Sequence, residues 1–477
     1  MRQTGISRRD FHKQIGMGFI AASLDNLPGC SQTKNAKSVS VKKPNIIYVL
    51  ADDLGYGDLS CYGQKTLNTP HLDRMAREGM KFTQHYAGST VCAPSRCVLM
   101  TGLHTGHCTV RGNHRVLLKD TDVTIADILK KAGYATGCIG KWGIGHPPPP
   151  DNPNKHGFDY FWGYVNMFHA HNCFPEFVIC NGKEVRLRNK LAPKWQNLPP
   201  DKRGGGVAIE KIDFVPELMT QQALDFIRRH QHQPFFLYLA LNIPHANNEG
   251  GKQGMEVPEY SDNVKPNWPQ PEKGFASMIR TIDRDMGRLF QRLKELNLDD
   301  NTIVIFTSDN GPHQEGGHIA EYFDSNGDLR GIKRDLYEGG VREPLLIRWP
   351  GKIKPGTTSD HVSGFQDFLP TLAALAGAEH PQTDGISMLP TLLGQPKKQK
   401  KHPYLYWEFL EQGGKQAVLL DKFKGIRLNT KKIPNAPIEI YDITRDIRER
   451  TNIADQHPHI VSRIAEIMQQ AHTNPDL

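Results

Sequence analysis

Beyond its first thirty residues the chain contains no apolar run long enough to cross a bilayer, so its body is expected to be soluble or tethered, without a transmembrane span. No repeat period stands out. A dense basic stripe interleaved with aromatics is also missing, and a formal charge of +8 is modest for 477 residues, so nucleic acid is not an expected partner. Part of that charge sits in "PKKQKKHP" near residue 400, which reads as a solvated loop or linker. Eight cysteines, at 30, 61, 92, 97, 108, 138, 173 and 180, form no evident disulfide framework. Cys92 and Cys97 are spaced too widely for a C-x-x-C redox pair, and the paired spacing of structural zinc sites is absent.

What is present begins with an export pattern. "SRRDF" (Ser7 to Phe11) is a twin-arginine signal, followed by the short apolar "IGMGFIAASL" and by "LPGC", which resembles a lipoprotein cleavage box ending at Cys30 despite the atypical Pro28 and Asp25. Residues 1–30 are therefore expected to be an export signal and 31–43 a polar linker, with Cys30 a candidate for lipidation and thus for a lipid tether. The mature protein is expected in the periplasm or on the outer membrane or cell surface.

"NIIYVLADD" is a buried-strand pattern that ends in Asp52 and Asp53, and "NTIVIFTSDN" repeats the arrangement with a strand from about Thr302 to Phe306 and then Asp309 and Asn310. Amphipathic helix patterns ("TIADILKKAG", "ELMTQQALDFIRRH", "SMIRTIDRDMGRLFQRLKEL") alternate with strand patterns ("YATGCIGKWG", "PFFLYLALNIPH", "PLLIRWPG"). That alternation predicts an α/β sandwich with a large, mostly parallel central sheet whose site lies at its carboxyl edge. Beyond residue 398 short strand patterns and a closing helix predict a small α+β subdomain with an antiparallel sheet, dividing the chain at 44–397 and 398–477.

Asp52, Asp53, Asp309 and Asn310 offer only oxygen ligands, which suit a hard cation such as calcium or magnesium. An aspartate after a strand is as often a helix cap or turn residue, so each motif alone is weak. Cys92 leaves several readings open: a nucleophile, a soft-metal site with His104, His107 and Cys108, or a buried structural thiol. "DSNGDLRGIKRD" fails as an EF-hand loop because Leu329 stands where glycine is needed and Asp335 where the terminal glutamate belongs.

"CAPSR" (Cys92 to Arg96) followed by Thr101 and Gly102 resembles the C-x-P-x-R signature of the type I sulfatases of the alkaline phosphatase superfamily. "NIIYVLADDLGYGD", "GKWG", "IPH", "TSDNG", "GIKRDLYEGGVREP" and "IEIYDITRDIRERTNIA" extend the resemblance over roughly residues 44 to 460. It implies an alkaline phosphatase-like sandwich and sulfate-ester hydrolysis. It further implies that Cys92 is oxidised by a formylglycine-generating enzyme, and that the hydrated aldehyde attacks sulfur and later expels sulfate by collapsing to the aldehyde. One calcium ion would be held by Asp52, Asp53, Asp309, Asn310 and the modified Cys92. Arg96 would orient the hydrate, Lys141 and Lys333 would neutralise sulfate oxygens, and His245 would protonate the leaving alcohol. The family commonly has histidine directly after "GKW"; this chain has Gly143 there, and His146 three residues on.

Aromatics and histidines crowd "GFDYFWGYVNMFHAHNCFPEF", residues 157–177, which reads as a loop-rich insertion where His169 and His171 could meet a sugar, with hydrophobic core as the competing reading. His313 and His318 are further candidates for substrate contact. Export favours a sulfated polysaccharide or glycan fragment as substrate. A phosphodiesterase or phosphonate hydrolase of the same superfamily, and a non-catalytic calcium-bound glycan-binding protein, are the rival readings.

Overall fold

Along the run Asn45–Asp52 every residue is buried, and successive side chains go to opposite layers. Ile46, Tyr48 and Leu50 enter one core, whereas Ile47, Val49 and Ala51 enter the other. This strand is the middle of a large sheet sandwiched between helices. The computed structural model describes residues 43–113, 116–144, 152–262 and 264–474. The export pattern, Cys30, nearly all of the 31–43 linker and His146 lie outside the described residues.

In chain order the strands are β1 (Asn45–Asp52), β2 (Met80–Tyr86), β3 (Ala135–Lys141), β4 (Tyr160–Tyr164), β5 (Phe177–Cys180), β6 (Lys183–Arg186), β7 (Lys190–Leu191), β8 (Ala208–Glu210), β9 (Phe235–Pro244), β10 (Thr302–Ser308), β11 (Arg342–Arg348), β12 (Thr357–Ser359) and β13 (Ser363–Gly364). Four more follow: β14 (Leu405–Phe409), β15 (Lys415–Leu420), β16 (Phe423–Leu428) and β17 (Ile438–Asp442). The central sheet runs β12-β2-β11-β10-β1-β9-β3-β4-β5-β6, with β13 beside β2. Its middle, β10-β1-β9-β3-β4, is parallel throughout, and antiparallel pairs flank it on both sides. Parallel strands share one carboxyl edge, so Asp52, Lys141, Pro244 and Ser308 end at the same rim.

One helical layer contains Val215–Arg229 and the long Gln270–Glu295, which turns Phe275, Ile279, Ile282, Met286 and Leu293 at spacings of three, four and seven toward the sheet. The other contains Cys92–Thr101, Ile125–Lys131 and Phe368–Ala376. The small antiparallel sheet, β14-β15-β16-β17, carries helix Pro458–Gln470 on one face through Ile464, Ile467 and Met468. On the other face Leu405, Trp407 and Ile426 pack with Tyr86, Val91 and Val341 of the main body.

Residues 157–177 differ from the sequence expectation. β4 is an integral strand of the central sheet, and Met167–Ala170 is a short helix. Phe161 faces one core, while Trp162 and Tyr164 face the other. Much of the aromatic density is therefore interior packing on both sides of a sheet.

Candidate active site

β1 and β10 lie side by side in register, Ala51 opposite Ser308, so the two acidic pairs emerge together. Asp53 leaves the strand with φ 66°, a left-handed turn that aspartate tolerates better than most residues, and its N–H donates to Asp309 Oδ1 at 3.1 Å. Asn310 Nδ2 donates to Asp53 Oδ1 at 2.7 Å. All four side chains are completely buried.

Cations converge on these carboxylates. Arg96, one turn into helix Cys92–Thr101, donates from Nε and a terminal nitrogen to Asp309 Oδ2 at 2.9 and 2.7 Å, and to the Lys141 carbonyl at 2.6 Å. Lys141, the last residue of β3, places Nζ 2.7 Å from Asp52 Oδ2. Lys333 donates to Asp53 Oδ2 at 2.8 Å, to Glu315 Oε2 at 3.0 Å and to His245 Nε2 at 3.1 Å. His245, directly after β9, meets the Ala246 carbonyl with Nδ1 at 2.7 Å. Since that carbonyl and the lysine ammonium fix both ring nitrogens, the proton sits on Nδ1 and Nε2 is the acceptor. Cys92 begins its helix, where the backbone amides add positive potential, and its Sγ lies within 4.8 Å of ligand oxygens of Asp52 and Asp309.

The charges tune one another. Burial alone would raise Asp52 and Asp53, but Lys141, His245 and Arg96 hold the first, and Lys333 and His245 the second, below the usual carboxylate range. Burial, with Asp52 beside it, pushes Asp309 up to about 7. Burial and Lys333 push His245 down to about 3. Burial opposes the charge on Lys333, yet Asp53 and Glu315 raise it above the ordinary lysine range. Burial pushes the Cys92 thiol up.

A hard cation fits this donor set. Asp52 Oδ1 and Asn310 Oδ1 are buried oxygens with no hydrogen-bond partner among the described residues, and an unpartnered buried acceptor is costly unless an ion or water satisfies it.

The sequence-selected histidines divide. His171 stacks on His245 with ring centres 4.8 Å apart and approaches Glu249 at 3.3 Å. His313 lies 6.0 Å from His245 but commits Nε2 to the Pro244 carbonyl. His318 is one layer back, stacked on Phe275 and bonded to Glu272 at 2.6 Å. His169 is not brought to the cluster; it bonds the Phe177 carbonyl and meets Tyr164 edge-on. Sequence reasoning missed Glu315, which ties Lys333 to Arg334. Its place two residues after His313 carries no signal of that role.

A sequence model described as Sulfatase matches residues 44–378, and one described as N-sulphoglucosamine sulphohydrolase, C-terminal, matches 331–474. The chain belongs to the sulfatase family of the alkaline phosphatase superfamily. It is a sulfuric ester hydrolase. The N-acetylgalactosamine-6-O-sulfatase of Bacteroides thetaiotaomicron is 31% identical, with 94% of this chain and 97% of that one covered. Human arylsulfatase A is 31% identical over 89% of this chain and 87% of its own. Among solved structures, a protein in complex with k-i-k-neocarrahexaose superposes with a TM-score of 0.74 at 27% identity, covering 91% and 94% of the two chains. A Bacteroides thetaiotaomicron 6S-sulf protein, from work on the metabolism of multiple glycosaminoglycans, gives 0.72 at 28%, covering 90% and 99%. Among the described residues of this sulfatase no helix is long and apolar enough to cross a membrane.

Proposed function

We propose that this sulfatase is exported and removes sulfate from a glycosaminoglycan-type glycan, using a formylglycine made from Cys92 and a calcium ion held by Asp52, Asp53, Asp309 and Asn310. The observation that carries the reading is the convergence of Arg96, Lys141, Lys333 and His245 on one buried oxygen-rich cluster beside Cys92. The hydrated aldehyde would supply the nucleophile, and the cation would supply Lewis-acid charge and a template for sulfate oxygens.

The chain's own groups do the rest. Arg96 is completely buried and doubly bonded to Asp309, so it holds that carboxylate in one orientation beside residue 92. Lys141 and Lys333 bring preorganised positive charge to a buried site, where it counts most against developing negative charge. His245 would protonate the leaving alcohol oxygen only after Nε2, which accepts from the Lys333 ammonium 3.1 Å away, has taken up a proton as negative charge gathers on that oxygen. A buried thiol with a raised pKa is a poor nucleophile, which supports modification over direct attack by sulfur. The carbohydrate class is supported by the relatives' names, and export by the twin-arginine pattern.

Peptide mass spectrometry across Cys92, with parallel kinetics on sulfate and phosphate esters, tests the reading. The expected result is a formylglycine at position 92 in active protein and faster turnover of sulfate than of phosphate. Full activity from unmodified cysteine would sink the mechanism, and preference for phosphate would favour the phosphodiesterase alternative.

A further inference from the structure

Asn113 belongs to none of the strand-end motifs, yet its carboxamide lies against residue 92. Its Oδ1 accepts the backbone N–H of Ala93 at 3.1 Å, and its Nδ2 lies 3.8 Å from Cys92 Sγ. A backbone N–H can only donate, so it decides which end of this amide is oxygen; both ends lie near Sγ, Oδ1 at 3.9 Å and Nδ2 at 3.8 Å, and of the two only the NH2 end has a proton to give. Met167 Sδ, also against Sγ at 3.7 Å, is a thioether with no proton to give. Gly143, where the family commonly places a histidine, offers no side chain at all.

The amide is also anchored. The N–H of Asn113 donates to Glu411 Oε1 at 2.8 Å, from the turn between β14 and β15. Two residues earlier Arg111 donates to Glu408 Oε1 at 3.1 Å and to the Thr473 carbonyl at 2.5 Å. With its side chain tied to the Ala93 N–H and its backbone to Glu411, the carboxamide is a preorganised donor, the kind that stabilises charge without reorganising.

We propose that Asn113 is a further residue of the catalytic site: its Nδ2 donates a hydrogen bond to the oxygen borne by residue 92 and holds that oxygen in position for attack. The proposal rests on the formylglycine reading above. It assigns Asn113 a role beyond capping the helix, because capping engages only Oδ1.

Asn113→Asp separates the two roles. It keeps an acceptor for the Ala93 N–H and replaces the donor with a second oxygen. Asn113→Leu removes both functions without adding charge. For each variant kcat and KM on a sulfate ester, melting temperature, conversion of residue 92 by peptide mass spectrometry, and the rate of labelling by an aminooxy probe are measured. The expected result is full conversion in both, an unchanged melting temperature in Asn113→Asp, and a kcat lowered roughly 10- to 100-fold in both, as for loss of one preorganised donor. Labelling should be faster in both, because a hydrate that loses a donor yields more free aldehyde. Wild-type kcat and labelling rate in a fully converted Asn113→Asp would overturn this proposal alone. Unmodified Cys92 in active wild-type protein would overturn the formylglycine reading and this proposal with it.

Discussion

At Gly143 the backbone has φ +70°, and a Cβ there would lie 3.2 Å from Cδ of Arg96 and 3.4 Å from Cγ of Lys141. A side chain at this point strains the backbone and crowds two groups that must keep their places. Gly143→Ala is therefore expected to cost about 1 kcal/mol in stability, and to lower kcat more than that loss explains; urea titration alongside steady-state kinetics checks both. Lys333 is the more sensitive position, because one ammonium serves Asp53, Glu315 and His245 together. Lys333→Ala should reduce kcat by roughly 10²- to 10³-fold. Glu315 and Asn113 were illegible in the sequence for a shared reason. Each acquires meaning only from partners outside its own local stretch, Lys333 18 positions away for the first, and Cys92 and Glu411, 21 and 298 positions away, for the second. The acidic pairs after β1 and β10 were legible because a buried strand announces where its end must be.

Elements with a strong period were read well. Helix Gln270–Glu295 repeats apolar residues every three or four positions, and those residues are its buried face. Ile279→Ala should destabilise the protein by about 2–5 kcal/mol, whereas the exposed Gln291→Ala in the same helix should stay within about 0.5 kcal/mol, as read from denaturant midpoints. β4 was read poorly because its aromatics face both layers and so show no alternation of polarity. Aromatic density in a run without alternation fits a binding loop or a doubly covered strand equally well, and only the neighbouring strands β3 and β5 decide.

For the whole molecule, the interior holds histidines that stay neutral and acids that stay protonated. Burial pushes His85 down to about 3, and pushes Asp58 and Glu449 up to about 7 and about 8. A histidine with a lowered folded pKa keeps its full contribution above the unfolded value near 6.5 and loses it as pH falls, since only the unfolded chain takes the proton. The raised carboxyls act with the opposite sign: their stability is lost as pH climbs from the unfolded value near 4 toward the folded one. The wild-type profile is the balance, so a difference isolates one group. Relative to wild type, His85→Gln should gain about 2 kcal/mol between pH 7 and pH 5, measured by denaturant unfolding at each pH.

The small sheet changes how this chain can be cut and recombined. Glu411 pins Asn113, Lys415 pins the Arg334 carbonyl, and Thr473 pins Arg111. The stretch matched by the first family model stops at residue 378, before all three anchors. A chimaera joined at that boundary would therefore inherit its acidic pairs from one parent and the partners of Asn113, Arg334 and Arg111 from the other. Modular exchange among such enzymes has to carry both halves of each anchor, and the smallest transplantable unit runs through Thr473.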